Sequence, residues 1–241
     1  MDSTGYLGFL FLASAVVGIS GLLDRLYAAI LPARFLYYAL RMPGIVLHEL
    51  AHVAGCLCTG AKIRNVVLFS KEGGSVTYAN PKIPVIGTVI ISTAPLLLLP
   101  LVLSFLTWVF SACLGCDLPI TLPEPHTGIL GYGILETVSG LFVANLITEF
   151  NGWFLLYLYL CVTIILSLAP SRQDFVNAAA GILLVAGSGL LVILSGYGPA
   201  ISCLSQVLDL MAYPFLLGLV FEIIAGVVAV PLSVLYGIRS H

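Results

Sequence analysis

Charged residues are scarce in this sequence: Asp, Glu, Lys and Arg together make up 8% of 241 residues. A typical soluble domain contains about 25%. Hydrophobic residues make up 60%, and the mean hydropathy is +1.13. A soluble fold of this length has no interior large enough for so much apolar surface, so ordinary soluble domains are excluded. No basic tail or aromatic-basic patch suggests a nucleic-acid partner, so we expect none.

The apolar runs predict an all-α polytopic membrane protein with about six transmembrane helices. A membrane helix needs about 20 apolar residues, and six segments qualify: 4–23, 35–58, 84–112, 151–169, 175–196 and 206–236. Residues 127–149 are also apolar, but they contain Glu136, Asn145 and Glu149. We expect a re-entrant or interfacial segment there, with a seventh span as the alternative. The whole chain, 1–241, is predicted to form a single transmembrane domain.

Basic residues predict how the helices are oriented. With six spans, six of the nine basic residues fall in connections or ends on one side, namely Lys62, Arg64, Lys71, Lys82, Arg172 and Arg239. Because cytoplasmic loops carry an excess of Lys and Arg, that side is predicted to face the cytoplasm. Arg25, Arg34 and Arg41 fall in or near the first outer connection and oppose this orientation.

The second apolar segment contains the motif His48-Glu-Leu-Ala-His52. On a helix, positions i and i+4 share a face, so both imidazoles can reach one metal ion. A charged residue at membrane depth costs about 2.5–3.5 kcal/mol on insertion scales. Ionisable groups there call for a functional explanation, and HExxH is typical of zinc hydrolases in which the Glu acts on a metal-bound water.

Catalytic zinc usually has three protein ligands, so a third residue is needed. The remaining histidines, His126 and His241, lie in an outer loop and at the terminus, and so few imidazoles argue against a di-iron enzyme. Asp174 follows Pro170 and Ser171 at the predicted cytoplasmic junction of the fourth and fifth spans, at the depth of His48 and His52. An Asp in a first helical turn is also favoured by the helix dipole alone. Four other carboxylates are rivals: Glu149, Glu136, Asp209 and Glu222.

Four features of this sequence resemble the site-2 protease family of intramembrane zinc metalloproteases. These are the HELxH motif at His48, the segment Gly73-Gly-Ser-Val76, the apolar helix with Thr93-Ala-Pro95, and the distant Asp174. Asp174 stands in Gln-Asp-Phe, without the glycine of the family's LDG context. No inserted PDZ domain is evident, so the resemblance is to a divergent, minimal member of the family.

The resemblance implies one Zn²⁺ per chain, with His48, His52 and Asp174 as ligands and Glu49 as the catalytic base. The activity would be that of a zinc metalloendopeptidase that hydrolyses peptide bonds of transmembrane protein substrates within the lipid bilayer. A compact chain of this kind fits a prokaryotic cytoplasmic membrane, with the active site toward the cytoplasmic side, and an organelle membrane is the alternative.

Residues 63–78 predict a small membrane-associated β-hairpin, two short strands around Gly73-Gly74. We expect Gly73, Gly74, Ser75 and Val76 to bind substrate, because an edge strand can hold an unwound segment in extended form. A simple surface hairpin is the alternative.

Two other functions stay open on the sequence alone. A catalytically degenerate homologue would bind membrane helices without cutting them. A metal or ion transporter could use buried His and Glu, although such proteins usually show inverted repeats and several polar spans. Dependence of activity on metal would separate the enzyme from a binding protein.

Overall fold

The computed structural model describes residues 3–31, 34–70, 73–118 and 139–236. They form seven helices and one two-stranded sheet. In chain order the elements are α1 (Ser3–Ile30), α2 (Arg34–Thr59), β1 (Ile63–Val67), β2 (Ser75–Tyr78), α3 (Pro84–Leu114), α4 (Ser139–Thr148), α5 (Gly152–Leu166), α6 (Arg172–Leu194) and α7 (Gly198–Tyr236). The residues Val143–Thr148 of α4 are wound as a π-helix. The predicted class, an all-α membrane protein with a small hairpin, is confirmed.

The predicted count of six spans is not confirmed. Among the described residues, α1, α2, α3 and α7 are long and apolar enough to cross a membrane, and α6 makes a fifth span if its 42° bend is allowed. The helix α5 has 15 residues, or about 22 Å at 1.5 Å per residue. That is shorter than the roughly 30 Å of a bilayer core. Asn151 caps the start of α5, and Pro170 follows closely after its end, which explains the short length.

The predicted re-entrant or interfacial segment, 127–149, is only partly described. Residues 127–138, including Glu136, lie outside the described residues, as do His126 and His241. The described part is the short helix α4, whose buried Asn145 accepts a hydrogen bond from the Asp117 backbone N–H and donates to the Asp117 carbonyl. These bonds tie α4 to the end of α3. All six cysteines are free, so Cys113 and Cys116 form no disulfide.

The predicted hairpin is present. The strands β1 and β2 are antiparallel, with Val66 opposite Val76 and Ile63 opposite Tyr78, and a bulge follows Ile63. The hairpin packs beneath α2 and α3 through Val76 and Tyr78, which contact a buried cluster of Cys56, Ala61 and Ile91.

Close helix packing around α2 fixes the position of the motif. At Gly44 a side chain would collide with the Thr163 carbonyl of α5. At Gly55 a Cβ atom would lie 2.9 Å from the Cα of Ile91 in α3. The backbone of α2 therefore approaches α5 on one side of the motif and α3 on the other, as glycine allows.

Candidate metal centre

His48 and His52 lie one turn apart on α2, and their side chains point to the same place. The two Nε2 atoms are 3.2 Å apart. His52 is 6% exposed, while His48 is half-buried. Two imidazole nitrogens that converge in this way are suited to share one ion, as the i, i+4 spacing predicts.

Asp174, in the first turn of α6, completes the group. Its Oδ2 lies 3.5 Å from Nε2 of His52, and one ligand atom from each of the three residues lies within 4.8 Å of the others. Of the rival carboxylates, Glu149 and Asp209 are exposed and Glu222 is buried within α7. Across the described ranges, no other group of His, Cys, Asp or Glu side chains converges in this way.

Each histidine is oriented by a backbone carbonyl on a neighbouring helix or its end. Nδ1 of His48 lies 2.7 Å from the Ser167 carbonyl, just after α5. Nδ1 of His52 lies 2.8 Å from the Ile91 carbonyl in α3. A carbonyl oxygen only accepts, so each Nδ1 carries the proton and each Nε2 presents its lone pair to the centre. Metal-bound histidines are ordinarily held in this manner.

The carboxylate of Asp174 is held by its own helix cap. The Ser171 hydroxyl donates to Oδ2 of Asp174 over 2.6 Å and accepts from the Asp174 N–H over 3.1 Å. Asp174 therefore lies in the first turn of α6, where the helix dipole favours an Asp, and its carboxylate also converges with His48 and His52. Two neutral imidazoles and one carboxylate form a donor set that fits Zn²⁺.

Glu49 is 8% exposed and lies under the tip of the hairpin. A side chain at Gly74 would collide with the Glu49 carboxyl group. Gly73 has φ of 106°, a conformation open to glycine, and its carbonyl accepts from the Ser70 hydroxyl over 2.7 Å. The other three residues predicted to bind substrate differ in their surroundings. The backbone of Gly74 lies against the Glu49 side chain, Val76 packs on the buried cluster between α2 and α3, and Ser75 is exposed.

Sequence reasoning missed a polar network that adjoins the centre. Arg41 of α2 forms an ion pair of 2.8 Å with Asp24 of α1, and its guanidinium also donates to the hydroxyl of Tyr37. Its other terminal nitrogen donates to the Leu166 carbonyl over 2.8 Å, next to the residue that orients His48. On the sequence alone, Arg41, at the start of the predicted span 35–58, counts as a charge in or near the first outer connection; the structure shows this charge paired with Asp24. The signal available was spacing: Arg41 and His48 are seven residues apart and share a face.

One of the comparisons with known proteins, the one with family models, finds a match. Residues 10–114 match the model of the Peptidase M50B-like family. No curated protein and no solved structure gives a significant match. The matched region runs from α1 to the end of α3 and includes His48, Glu49 and His52, while Asp174 lies beyond it. Over residues 10–114, which carry its HExxH motif, this chain is similar to the Peptidase M50B-like family, and this match supports the resemblance to site-2 proteases.

Proposed function

We propose that this integral membrane protein is a zinc metalloendopeptidase that cleaves transmembrane protein substrates. The observation that carries the proposal is the convergence of His48, His52 and Asp174 beside the buried Glu49. The family match supports an intramembrane metalloprotease at the level of the family. The catalytic chemistry and the class of substrate go beyond the family match and are our proposal.

In this proposal one Zn²⁺ per chain is held by Nε2 of His48, Nε2 of His52 and the carboxylate of Asp174. When bound, such an ion lowers the pKa of a water ligand to about 7 and polarises a carbonyl group. The carbonyls of Ser167 and Ile91 accept hydrogen bonds from the two Nδ1–H groups, and these bonds turn each Nε2 toward the position of the ion. The cap at Ser171 does the same for Asp174.

Glu49 moves the proton. Its carboxylate accepts a proton from the water that attacks the scissile carbonyl, and the same carboxyl then donates that proton to the departing amine. The new C–O bond forms first, and the C–N bond breaks when the amine nitrogen receives the proton, so one water is consumed for each peptide bond cleaved. The backbone of Gly74, packed on Glu49, limits where this carboxylate can move.

A substrate helix must unwind before its peptide bonds can be reached. We propose that residues Gly73–Val76 hold the unwound segment as an added strand. The sheet of the described residues has two strands, so each strand has one edge without a strand partner. The position of Gly74 against Glu49 supports this part of the proposal, because a segment on that edge would lie next to the proposed base. The active site is proposed to open toward the cytoplasm, as the charge of the loops suggests.

Zinc content by elemental analysis of detergent-purified protein tests the proposal. We expect about one zinc per wild-type chain and a large loss in Asp174→Ala. Asp209→Ala is the matched control, since it removes an exposed carboxylate on α7. Full zinc in Asp174→Ala would remove Asp174 from the ligand set. A wild-type protein without zinc, even after reconstitution, would overturn the proposal.

A further inference from the structure

The hydrogen bond that orients His52 depends on an unusual acceptor. Nδ1 of His52 lies 2.8 Å from the carbonyl of Ile91, a fully buried residue inside α3. A carbonyl inside an α-helix ordinarily accepts the N–H four residues further along. Here that residue is Pro95, which has no N–H. The Ile91 carbonyl is therefore without its ordinary helical donor.

The local structure of α3 brings this carbonyl to His52. The helix continues through Pro95, which is buried, and the hydroxyl of Thr93 donates to the Val89 carbonyl over 2.8 Å. On the facing helix, Gly55 has no side chain, and a Cβ there would lie 2.9 Å from the Cα of Ile91. The two backbones are thus close enough for a side chain of α2 to reach a main-chain carbonyl of α3.

We propose that Pro95 is a positioning residue for the metal centre. By removing the competing N–H, it leaves the Ile91 carbonyl to hold the proton on Nδ1 of His52 and to turn Nε2 toward His48 and Asp174. This inference rests on the proposed function, in that it takes Zn²⁺ to be the ion bound there. It assigns a role to the proline in the Thr93-Ala-Pro95 segment.

His48 is held by the same device at a different place. Its acceptor, the Ser167 carbonyl, follows the last residue of α5, and the chain does not continue as a helix through Pro170. Both imidazoles therefore use carbonyls that have no ordinary helical donor, one because of Pro95 inside α3 and the other because α5 has ended. A carbonyl in an uninterrupted helix would already be engaged, so an imidazole would compete with a backbone bond.

The substitution Pro95→Ala restores the N–H and lets the Ile91 carbonyl close its helical bond. The matched control is Pro100→Ala, which changes a second buried proline of the same helix. We expect Pro95→Ala to weaken zinc binding about 10- to 100-fold, the range for lost partners of metal ligands. Pro100→Ala should bind zinc as the wild type does. Competition with a chelator of known affinity measures this.

A second measurement needs no metal. The chain has four histidines, so ¹⁵N-histidine NMR of the metal-free protein, assigned with single substitutions, resolves the Nδ1–H of His52. We expect this signal to move in Pro95→Ala and to stay in place in Pro100→Ala. If Pro95→Ala does not fold, Pro95→Gly is the second variant. It restores the same N–H with a helix propensity lower than that of Ala, and the His52 signal should move in it as well.

The two measurements separate the inference from the proposed function. Wild-type zinc affinity and an unchanged His52 signal in either folded Pro95 variant would overturn the inference. If the wild type itself bound no zinc, the proposed function would fail, and the NMR comparison would still decide whether Pro95 orients His52.

Discussion

Two regions supply the candidate centre, and they hold their residues differently. The region of α2, the hairpin and α3 supplies His48, Glu49 and His52 and is closely packed: the backbone of Gly55 approaches that of Ile91, and the backbone of Gly74 lies against the Glu49 side chain. The region of α5 and α6 supplies Asp174, whose neighbours Arg172, Gln173 and Phe175 are exposed and whose hydrogen bonds to Ser171 are local. The family match covers the first region and stops before the second.

The difference shows where orientation comes from. In the first region, tertiary packing sets the side chains, so a change in one helix is felt in the next. In the second, a helix cap orients Asp174, and α6 leaves the apolar side chains of Leu183, Leu184 and Val185 exposed. We therefore expect substitutions in the first region to reduce catalysis most. Substitutions around Asp174 should act mainly on metal affinity.

The largest effect is expected at Glu49. Glu49→Gln keeps the shape of the side chain but removes the proton acceptor, and loss of a general base lowers kcat by about 10²- to 10⁴-fold. Zinc content should not change, because Glu49 is outside the ligand group. Cleavage of a model single-span membrane protein, measured beside Glu149→Gln as the control for an exposed carboxylate, checks this. Retained turnover by Glu49→Gln would refute the assigned role.

A somewhat smaller effect is expected at Gly74. Gly74→Ala forces a Cβ into the Glu49 carboxyl group, and a misplacement of about 1 Å in a reacting group can reduce the rate about 10²-fold. Zinc binding should survive, since the added methyl group meets no ligand. Gly187→Ala is the control, because nothing lies within 4 Å of a Cβ there. Equal activity in the two variants would show that the hairpin tip does not constrain Glu49.

The second region is tested at Ser171. Ser171→Ala removes the hydroxyl that donates to Asp174 and caps α6. Partners of metal ligands usually account for 10- to 100-fold in affinity, so we expect zinc to bind about that much more weakly. With zinc saturating, kcat should stay near the wild-type value. A fall in kcat at full occupancy would mean that Asp174 acts on more than affinity.

Sequence reasoning reached the first region more fully than the second. The spacing of His48 and His52 is a local helical pattern, and the hairpin follows from strand-like residues around Gly73-Gly74, so both could be predicted from short segments. Asp174 was reached by its depth and by the resemblance, and the structure places it in the group. The number of spans was not predicted correctly, because hydropathy does not show that α5 ends after 15 residues or that α6 bends by 42°.

The hydrogen-bond partners could not be predicted for a physical reason. The residues that orient His48 and Arg41 lie more than a hundred positions away, at Ser167 and Leu166. No periodicity within one segment specifies which carbonyl of another segment is free. For the same reason no partner could be predicted for Arg41, whose guanidinium is accommodated inside the protein by its ion pair with Asp24 of another helix.

The smallest effect on zinc binding is expected at Ser20, which contacts the end of α5. Variants there test whether this segment orients His48 or only stabilises the fold. The buried hydroxyl of Ser20 donates to the Ile165 carbonyl over 2.6 Å and accepts from the Ala169 N–H over 3.1 Å. Ser20→Ala leaves the buried Ala169 N–H unpaired, while the Ile165 carbonyl keeps the Leu168 N–H, so we expect a loss of about 1–3 kcal/mol in the free energy of unfolding. Thermal unfolding in detergent measures this loss.

The matched variant is Tyr27→Phe, which removes a buried hydrogen bond to the Ala225 carbonyl, between α1 and α7. It should lower the free energy of unfolding by about 0.5–1.5 kcal/mol, because a buried hydrogen bond between two helices is lost. The two variants should differ in zinc affinity, because only Ser20 braces the segment whose Ser167 carbonyl orients His48. We expect a reduction of less than about 10-fold in Ser20→Ala, below the range for direct partners of ligands, and none in Tyr27→Phe. If both variants weakened zinc binding equally, general loosening of the helices would explain the effect, and the end of α5 would have no separate role in orienting His48.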